Sequence, residues 1–116
     1  DGLDELTTCD ETHVSEIRDG KVKSYHLNPE DLGLARGEVA DLKGGPSDVN
    51  AKIVIEILEG QKGPKRDIVL LNAGAALMVS GKAPSVAEGM VLAQKSIDSG
   101  AARAKLKDLV ALSNQL

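Results

Sequence analysis

A stretch near the middle of the sequence, residues 68–79, is apolar on every side when it is drawn as an α-helix. Such a helix has to be buried on all faces, and the small residues at 73–76 allow another backbone to approach it closely. A chain of 116 residues with one hairpin and three other helices has difficulty surrounding it. We therefore expect either dimerisation through this helix or a larger α/β domain whose central sheet lies elsewhere, and we favour the second.

Composition excludes several classes of partner. The chain is 12.1 kDa, and its pI of about 5.1 and net charge of −4 argue against binding to nucleic acid or an anionic membrane, which need basic patches. Tyr25 is the only residue among Phe, Trp and Tyr, so a base-stacking surface is nearly excluded. The longest uncharged stretch, residues 68–81, is shorter than the roughly 18 apolar residues that a membrane crossing requires.

Two features indicate the setting in which the chain works. Cys9 is the single cysteine and cannot form an internal disulfide, which favours a reducing, cytoplasmic environment. The sequence begins at Asp1 rather than at Met, and we expect it to start inside a longer protein.

A β-hairpin is predicted at about residues 12–27. Asp19-Gly20 separates two short runs and is the strongest two-residue hairpin signal, because a type I′ turn needs positive φ at both central positions. The turn predicts the register, which pairs His13 with His26, Val14 with Tyr25, Ser15 with Ser24, Glu16 with Lys23 and Ile17 with Val22.

Helices follow the hairpin. After a loop at 28–34 and a single helical turn at 38–42, apolar periodicity and breakers predict four helices at about 48–59, 64–80, 85–99 and 102–114. Ser47 is expected to cap the first of these four, and Ser85 with Glu88 forms a capping box for the third. We interpret residues 1–116 as part of an α/β domain with one hairpin and about four helices.

Asp4 and Glu5 are the candidate metal ligands. They lie between Leu3 and Leu6, which could anchor the segment while the carboxylates reach a ligand. Magnesium takes hard oxygen ligands, often one or two carboxylates with water and substrate phosphate. Adjacent acids in a regular strand point to opposite faces, so one shared ion requires a local bend. A solvated acidic pair is the alternative interpretation.

Other chemically active residues have simpler interpretations. His13 and His26 face each other in the predicted hairpin, but no cysteine or acid stands at an evident third position for a metal. Cys9 has no activating base and is interpreted as a buried small residue. Arg66, near the start of an apolar helix, is expected to pair with an acid, for which Asp67 is a local candidate. The glycines of residues 43–46 are interpreted as a turn rather than a phosphate-binding loop.

Taken in order, several segments resemble the carboxyl-terminal portion of anthranilate phosphoribosyltransferase, an enzyme of tryptophan biosynthesis. The resemblance spans nearly the whole chain, which makes it more specific than any single motif. The matching segments are Asp1-Gly2-Leu3-Asp4-Glu5, the hairpin with Asp19-Gly20, Pro29-Glu30-Asp31-Leu32-Gly33-Leu34, Asp41-Leu42-Lys43-Gly44-Gly45, Gly63-Pro64-Lys65-Arg66-Asp67, Leu71-Asn72-Ala73, Ala75-Ala76-Leu77 and Ile97-Asp98-Ser99-Gly100-Ala101-Ala102.

The resemblance implies a magnesium-dependent glycosyl transfer. The family joins the amine of anthranilate to C1 of phosphoribosyl pyrophosphate and releases pyrophosphate, in an enzyme with a small helical domain beside an α/β domain, usually dimeric. Asp4 and Glu5 match the family's acidic pair that binds Mg²⁺. The loop that holds phosphoribosyl pyrophosphate and most anthranilate contacts are expected upstream of Asp1, so no catalytic residue is assigned here and the chain alone is expected to be inactive.

Two alternatives remain at this point. The first is a nucleoside phosphorylase-like enzyme of the same fold group, which would use phosphate and a nucleoside. The second is a non-catalytic helical interaction module whose exposed apolar helix recruits a partner. The segment from Gly2 to Glu5 favours the phosphoribosyltransferase.

Overall fold

The computed structural model describes all 116 residues. An antiparallel two-stranded hairpin is followed by five α-helices, of which the first is the single turn expected at 38–42. The elements are β1 (Thr12–Arg18), β2 (Lys21–Leu27), a 3-10 turn (Pro29–Leu32), α1 (Val39–Leu42), α2 (Ser47–Leu58), α3 (Pro64–Val79), α4 (Val86–Asp98) and α5 (Ala101–Ser113). The four longer helices begin and end within one residue of the predicted bounds. None of the helices has both the length and the apolarity that a membrane span requires.

The hairpin has the predicted register at every pair. Asp19 and Gly20 have φ angles of 51° and 73°, the two positive values that the turn requires. Val14 and Tyr25 lie opposite each other on the face that packs against the core, whereas Ile17 on the other face is 75% exposed. The hairpin therefore covers one side of the helices with a single face.

The core lies where α3 and α4 pack together. Leu71 in the middle of α3 is fully buried, and Gly74 of α3 contacts Gly89 of α4 through the backbone. Two apolar clusters flank this crossing: Leu27, Leu71, Val86 and Met90 on the hairpin side, and Ile57, Leu70, Ala93 and Ile97 on the side of α2 and α5. The close approach predicted from the small residues of α3 is thus found at Gly74.

The predicted cap of α2 is wrong. Ser47 is the first helical residue, Pro46 precedes it, and no side chain bonds the free N–H groups at this end. The turn before α2 is closed instead by Asn50, whose side-chain amide accepts from the N–H of Gly45 and donates to its C=O, both at 2.8 Å. Asn50 therefore fixes the turn before α2, whereas the first N–H groups of the helix have no side-chain cap.

The capping box of α4 is present in half. Ser85 Oγ accepts from the N–H of Glu88 at 3.2 Å, as predicted, but Glu88 bonds the Ser85 hydroxyl at 3.0 Å rather than its backbone N–H.

The predicted loop at 28–34 also contains local order, since Pro29–Leu32 forms a 3-10 turn that ends at Gly33 with φ of 77°. Pro at the first position and Gly after the last explain this turn.

Helix α3 is not buried on all faces within this chain, which agrees with the expectation that 116 residues have difficulty surrounding it. Val69 is 39% exposed and Val79 is 81% exposed. The chain exposes 7796 Å² of surface, against about 6,000 Å² for a compact monomer of this mass. Its radius of gyration is 15.3 Å, against about 13 Å for a compact domain of this length. The apolar surface that the helices offer is larger than this chain can cover.

Candidate functional site

Residues 1–7, here called the acidic loop, precede the hairpin. Gly2 has a φ of 87°, and the backbone bends at Asp4 and Glu5. Both carboxylates are exposed, and no hydrogen bond or ion pair within the chain engages either of them. The backbone at the acidic pair is therefore bent rather than a regular strand, and both side chains are free.

The two ends of the acidic loop are held together. One carboxylate oxygen of Asp1 accepts from the N–H of Leu3 at 3.0 Å, and the other accepts from the hydroxyl of Thr7 at 2.6 Å. Thr7 is only 2% exposed, and its oxygen also accepts from the N–H of Cys9 at 2.9 Å. The loop thus closes on a buried threonine.

The side chain of Asn72, in α3, holds the backbone of the acidic loop. Asn72 Oδ1 accepts from the N–H of Leu6 at 3.1 Å, and Asn72 Nδ2 donates to the C=O of Leu6 at 2.9 Å. The sequence pattern does not predict that Asn72 or Asp1 holds the backbone around the acidic pair. The signal was a polar residue in the middle of the most apolar helix, where a buried amide needs partners.

The residues present fit a magnesium ion. Two free carboxylates supply hard oxygen ligands, and Mg²⁺ usually takes one or two carboxylates while keeping water and substrate phosphate. Neither acid donates to or accepts from another protein group, so neither would have to break a bond in order to bind the ion. No group of three histidine, cysteine or acidic side chains in the chain forms a metal cage, so a complete ligand set is not built by this chain.

The histidine pair has an acid beside it that the sequence pattern does not predict. His13 and His26 lie opposite each other with ring centroids 5.1 Å apart, and Glu11 Oε1 is 2.5 Å from His26 Nδ1. The three side chains do not form a metal-binding group. His26 is therefore interpreted as the partner of Glu11 in an exposed surface pair.

Arg66 pairs with an acid far away in sequence, and the local candidate Asp67 is wrong. Arg66 is 5% exposed, and its Nη2 donates to Asp98 Oδ1 at 2.7 Å. This guanidinium lowers the pKa of Asp98 below its usual value, whereas burial raises the pKa of Asp67. Neighbouring helical residues point in different directions, so Arg66 reaches the end of α4 rather than Asp67.

The glycine-containing segment at 43–46 is tied to α3. Lys65 Nζ donates to the carbonyl of Lys43 at 2.8 Å and also to the carbonyl of Asp41. Its ammonium is therefore engaged by the backbone. These contacts support the interpretation of this segment as a structural turn.

Comparison with known proteins places these features in a family. A family model described as "Glycosyl transferase family, a/b domain" matches residues 1–103. The anthranilate phosphoribosyltransferase of Anaeromyxobacter sp. (strain K) is 53% identical over 96% of this chain, and that of Methanocorpusculum labreanum is 50% identical over 97%. This chain covers 33% of each of these two proteins. It therefore spans about a third of the length of the curated relatives that it matches.

Solved structures show the same arrangement. The anthranilate phosphoribosyltransferase of Thermus thermophilus superposes with a TM-score of 0.85 at 41% identity, over 95% of this chain and 32% of that protein. A variant of the Saccharomyces cerevisiae enzyme with Mg bound superposes with a TM-score of 0.87 at 29% identity, over 99% of this chain and 34% of that protein. The resemblance to anthranilate phosphoribosyltransferase that the sequence motifs predicted is confirmed. Because the family model matches 103 of its 116 residues, this chain belongs to the glycosyl transferase family, as part of the α/β domain.

Proposed function

We propose that this chain is part of an anthranilate phosphoribosyltransferase. In the proposed reaction the amine nitrogen of anthranilate forms a bond to C1 of phosphoribosyl pyrophosphate. The bond from C1 to the pyrophosphate oxygen breaks, pyrophosphate leaves with the electron pair, and the amine loses a proton. The observation that carries this proposal is the 53% identity to such an enzyme over 96% of the chain.

Within that reaction we assign Asp4 and Glu5 to the binding of Mg²⁺. Their exposure, the bend between them and their lack of other partners support the assignment. The bound Mg in the structure of the yeast relative is consistent with a role for this ion in the family. When bound, Mg²⁺ would neutralise charge on the diphosphate leaving group, which stabilises the transition state.

The chain by itself is proposed to be inactive. The relatives are about three times its length, and this chain brings no third metal-binding side chain to the acidic pair. We propose that the pocket for phosphoribosyl pyrophosphate and for anthranilate is supplied by the remaining part of the enzyme. That part would also cover the surface that α3 leaves exposed. We further propose a cytoplasmic homodimer acting in tryptophan biosynthesis.

The metal assignment can be tested by mutation in the complete enzyme that contains this chain. A double variant, Asp4→Asn with Glu5→Gln, removes both charges while preserving the size of the side chains. We expect turnover of anthranilate to fall by two to three orders of magnitude and the half-saturating Mg²⁺ concentration to rise. The circular dichroism spectrum should be unchanged, because the fold is retained.

A matched control removes two charges elsewhere. Asp31→Asn with Asp48→Asn changes exposed carboxylates that make no ion pair, so turnover should stay within about twofold of the wild type. Equal turnover of the acidic-loop variant and the wild type across a magnesium titration would remove the metal role. Phosphorolysis of a nucleoside without anthranilate transfer would instead favour the nucleoside phosphorylase alternative.

A further inference from the structure

Asn72 is an unfavourable residue for the interior of an apolar helix, so its presence there needs a structural reason. It lies in the middle of α3, directly after the fully buried Leu71, and is itself half-buried. Asparagine is a weak helix former because its amide competes for backbone hydrogen bonds. Here both of its N–H donor positions are used, one on the carbonyl of Ile68 at 3.0 Å and one on the carbonyl of Leu6 at 2.9 Å.

The contact with Leu6 is two-sided. Asn72 bonds both the N–H and the C=O of this residue, which is the pattern a neighbouring β-strand would make. A one-residue slip of the acidic loop would break both bonds at once. The main chain directly after Glu5 is therefore held in one register by a rigid helix.

A second contact fixes the other side of the loop. The Asp1 carboxylate joins the N–H of Leu3 to the hydroxyl of the buried Thr7. The loop is thus held before and after the acidic pair, while Asp4 and Glu5 themselves remain unbonded. Ordered backbone around free carboxylates is what pre-organises a metal site, because the ion then does not have to order the loop.

We propose that Asn72 is a positioning residue for the metal-binding carboxylates, acting through the backbone of Leu6 and assisted by the Asp1–Thr7 contact. This inference rests on the proposed function of Asp4 and Glu5. Asn72 does not touch the ion; it sets the place from which the two carboxylates reach it.

The chain offers a matched control. Asn50 makes the same pair of bonds to Gly45, at the start of α2 and at 2.8 Å each. Asn72→Ala and Asn50→Ala therefore remove the same chemical contact from two different loops. Only the first should change metal binding.

The experiment uses the complete enzyme and measures Mn²⁺ binding by electron paramagnetic resonance, with and without phosphoribosyl pyrophosphate, beside the melting temperature. We expect Asn72→Ala to raise the half-saturating Mn²⁺ concentration by about 10-fold or more, the range seen when groups behind metal ligands are removed. Asn50→Ala should leave it within twofold. Thr7→Val, which keeps the shape and removes the hydroxyl, should shift it in the same direction as Asn72→Ala and serves if Asn72→Ala does not fold.

The outcomes separate the two proposals. If Asn72→Ala and Thr7→Val both bind Mn²⁺ as the wild type does, or if Asn50→Ala shifts binding equally, the positioning role is wrong. In that case the proposed function stands as long as the Asp4→Asn, Glu5→Gln variant loses Mn²⁺. If that double variant binds Mn²⁺ like the wild type, the metal site itself is wrong and the role of Asn72 falls with it.

Discussion

Gly74 of α3 and Gly89 of α4 touch through their backbones at the centre of the molecule. A Cβ built on Gly89 would overlap the carbonyl of Gly74, and one built on Gly74 would stand 2.7 Å from the backbone nitrogen of Met90. Backbone atoms cannot swing aside as a long side chain can. The spacing of the two helices, and with it the position of Asn72 under the acidic loop, depends on these two residues having no side chain.

Replacement of either glycine should push the helices apart. For Gly89→Ala we expect a loss of about 2 kcal/mol in the free energy of unfolding, since the strain of overpacking exceeds the gain in helix propensity of about 1 kcal/mol. Urea unfolding of the complete enzyme measures this. Ser96→Ala on the exposed side of α4 is the control and should change stability by less than about 0.5 kcal/mol. A neutral Gly89→Ala would show that the crossing tolerates a wider spacing.

The pair of Arg66 and Asp98 should make stability depend on pH at the acidic end. Because the guanidinium lowers the pKa of Asp98, the ionised carboxylate stabilises the fold above the usual pKa near 4, and this contribution is lost as the pH falls through the lowered pKa. We expect Asp98→Asn to lower the melting temperature at pH 7, with the difference from the wild type shrinking below pH 4. A difference that is independent of pH would contradict the ion pair.

Asp67 should behave in the opposite way. Burial raises its pKa, so its charged form destabilises the fold at neutral pH, and this penalty is absent below the usual pKa. We expect Asp67→Asn to raise the melting temperature at pH 7 and to lose that advantage as the pH falls below about 4. The two variants thus serve as controls for each other, and a destabilised Asp67→Asn at pH 7 would refute the prediction.

The hydroxyl of Thr8 is buried without a partner. The side chain is 1% exposed and its Oγ1 makes no hydrogen bond. Removal of an unsatisfied polar atom at constant shape should be neutral or favourable, so we expect Thr8→Val to stabilise the protein by up to about 1 kcal/mol. Thr7→Val next to it removes a bonded hydroxyl and should destabilise it. A loss of stability in Thr8→Val would mean that this hydroxyl is engaged.

The chain expressed alone should self-associate. A groove of about 800 Å³ between α2 and α5 is lined almost entirely by apolar atoms, and Val54 and Val110 on its walls are 44% and 50% exposed. Large exposed apolar patches drive association. We expect the isolated chain to bind a hydrophobic dye and to elute as more than a monomer, and Val110→Lys to reduce both effects. A sharp, cooperative unfolding transition of a monomer would contradict this.

The hairpin shows how much of the local structure the sequence alone predicts. Asp19-Gly20 requires one turn type, that turn determines the register, and every pair follows from it. The helix bounds follow in the same way from apolar periodicity, from Pro64 at the start of α3 and from glycines after the helix ends. The family resemblance could also be predicted from the sequence, because its motifs lie in contiguous segments.

Contacts between residues that are far apart in the sequence could not be predicted in this way. Arg66 joined Asp98 rather than Asp67, Asn72 reached Leu6 across 66 positions, and Gly89 met Gly74. Local sequence determines backbone conformation because turns, caps and periodicity act within a few residues. Which side chain meets which across the fold depends on how the helices pack, and that was decided only by the tertiary structure.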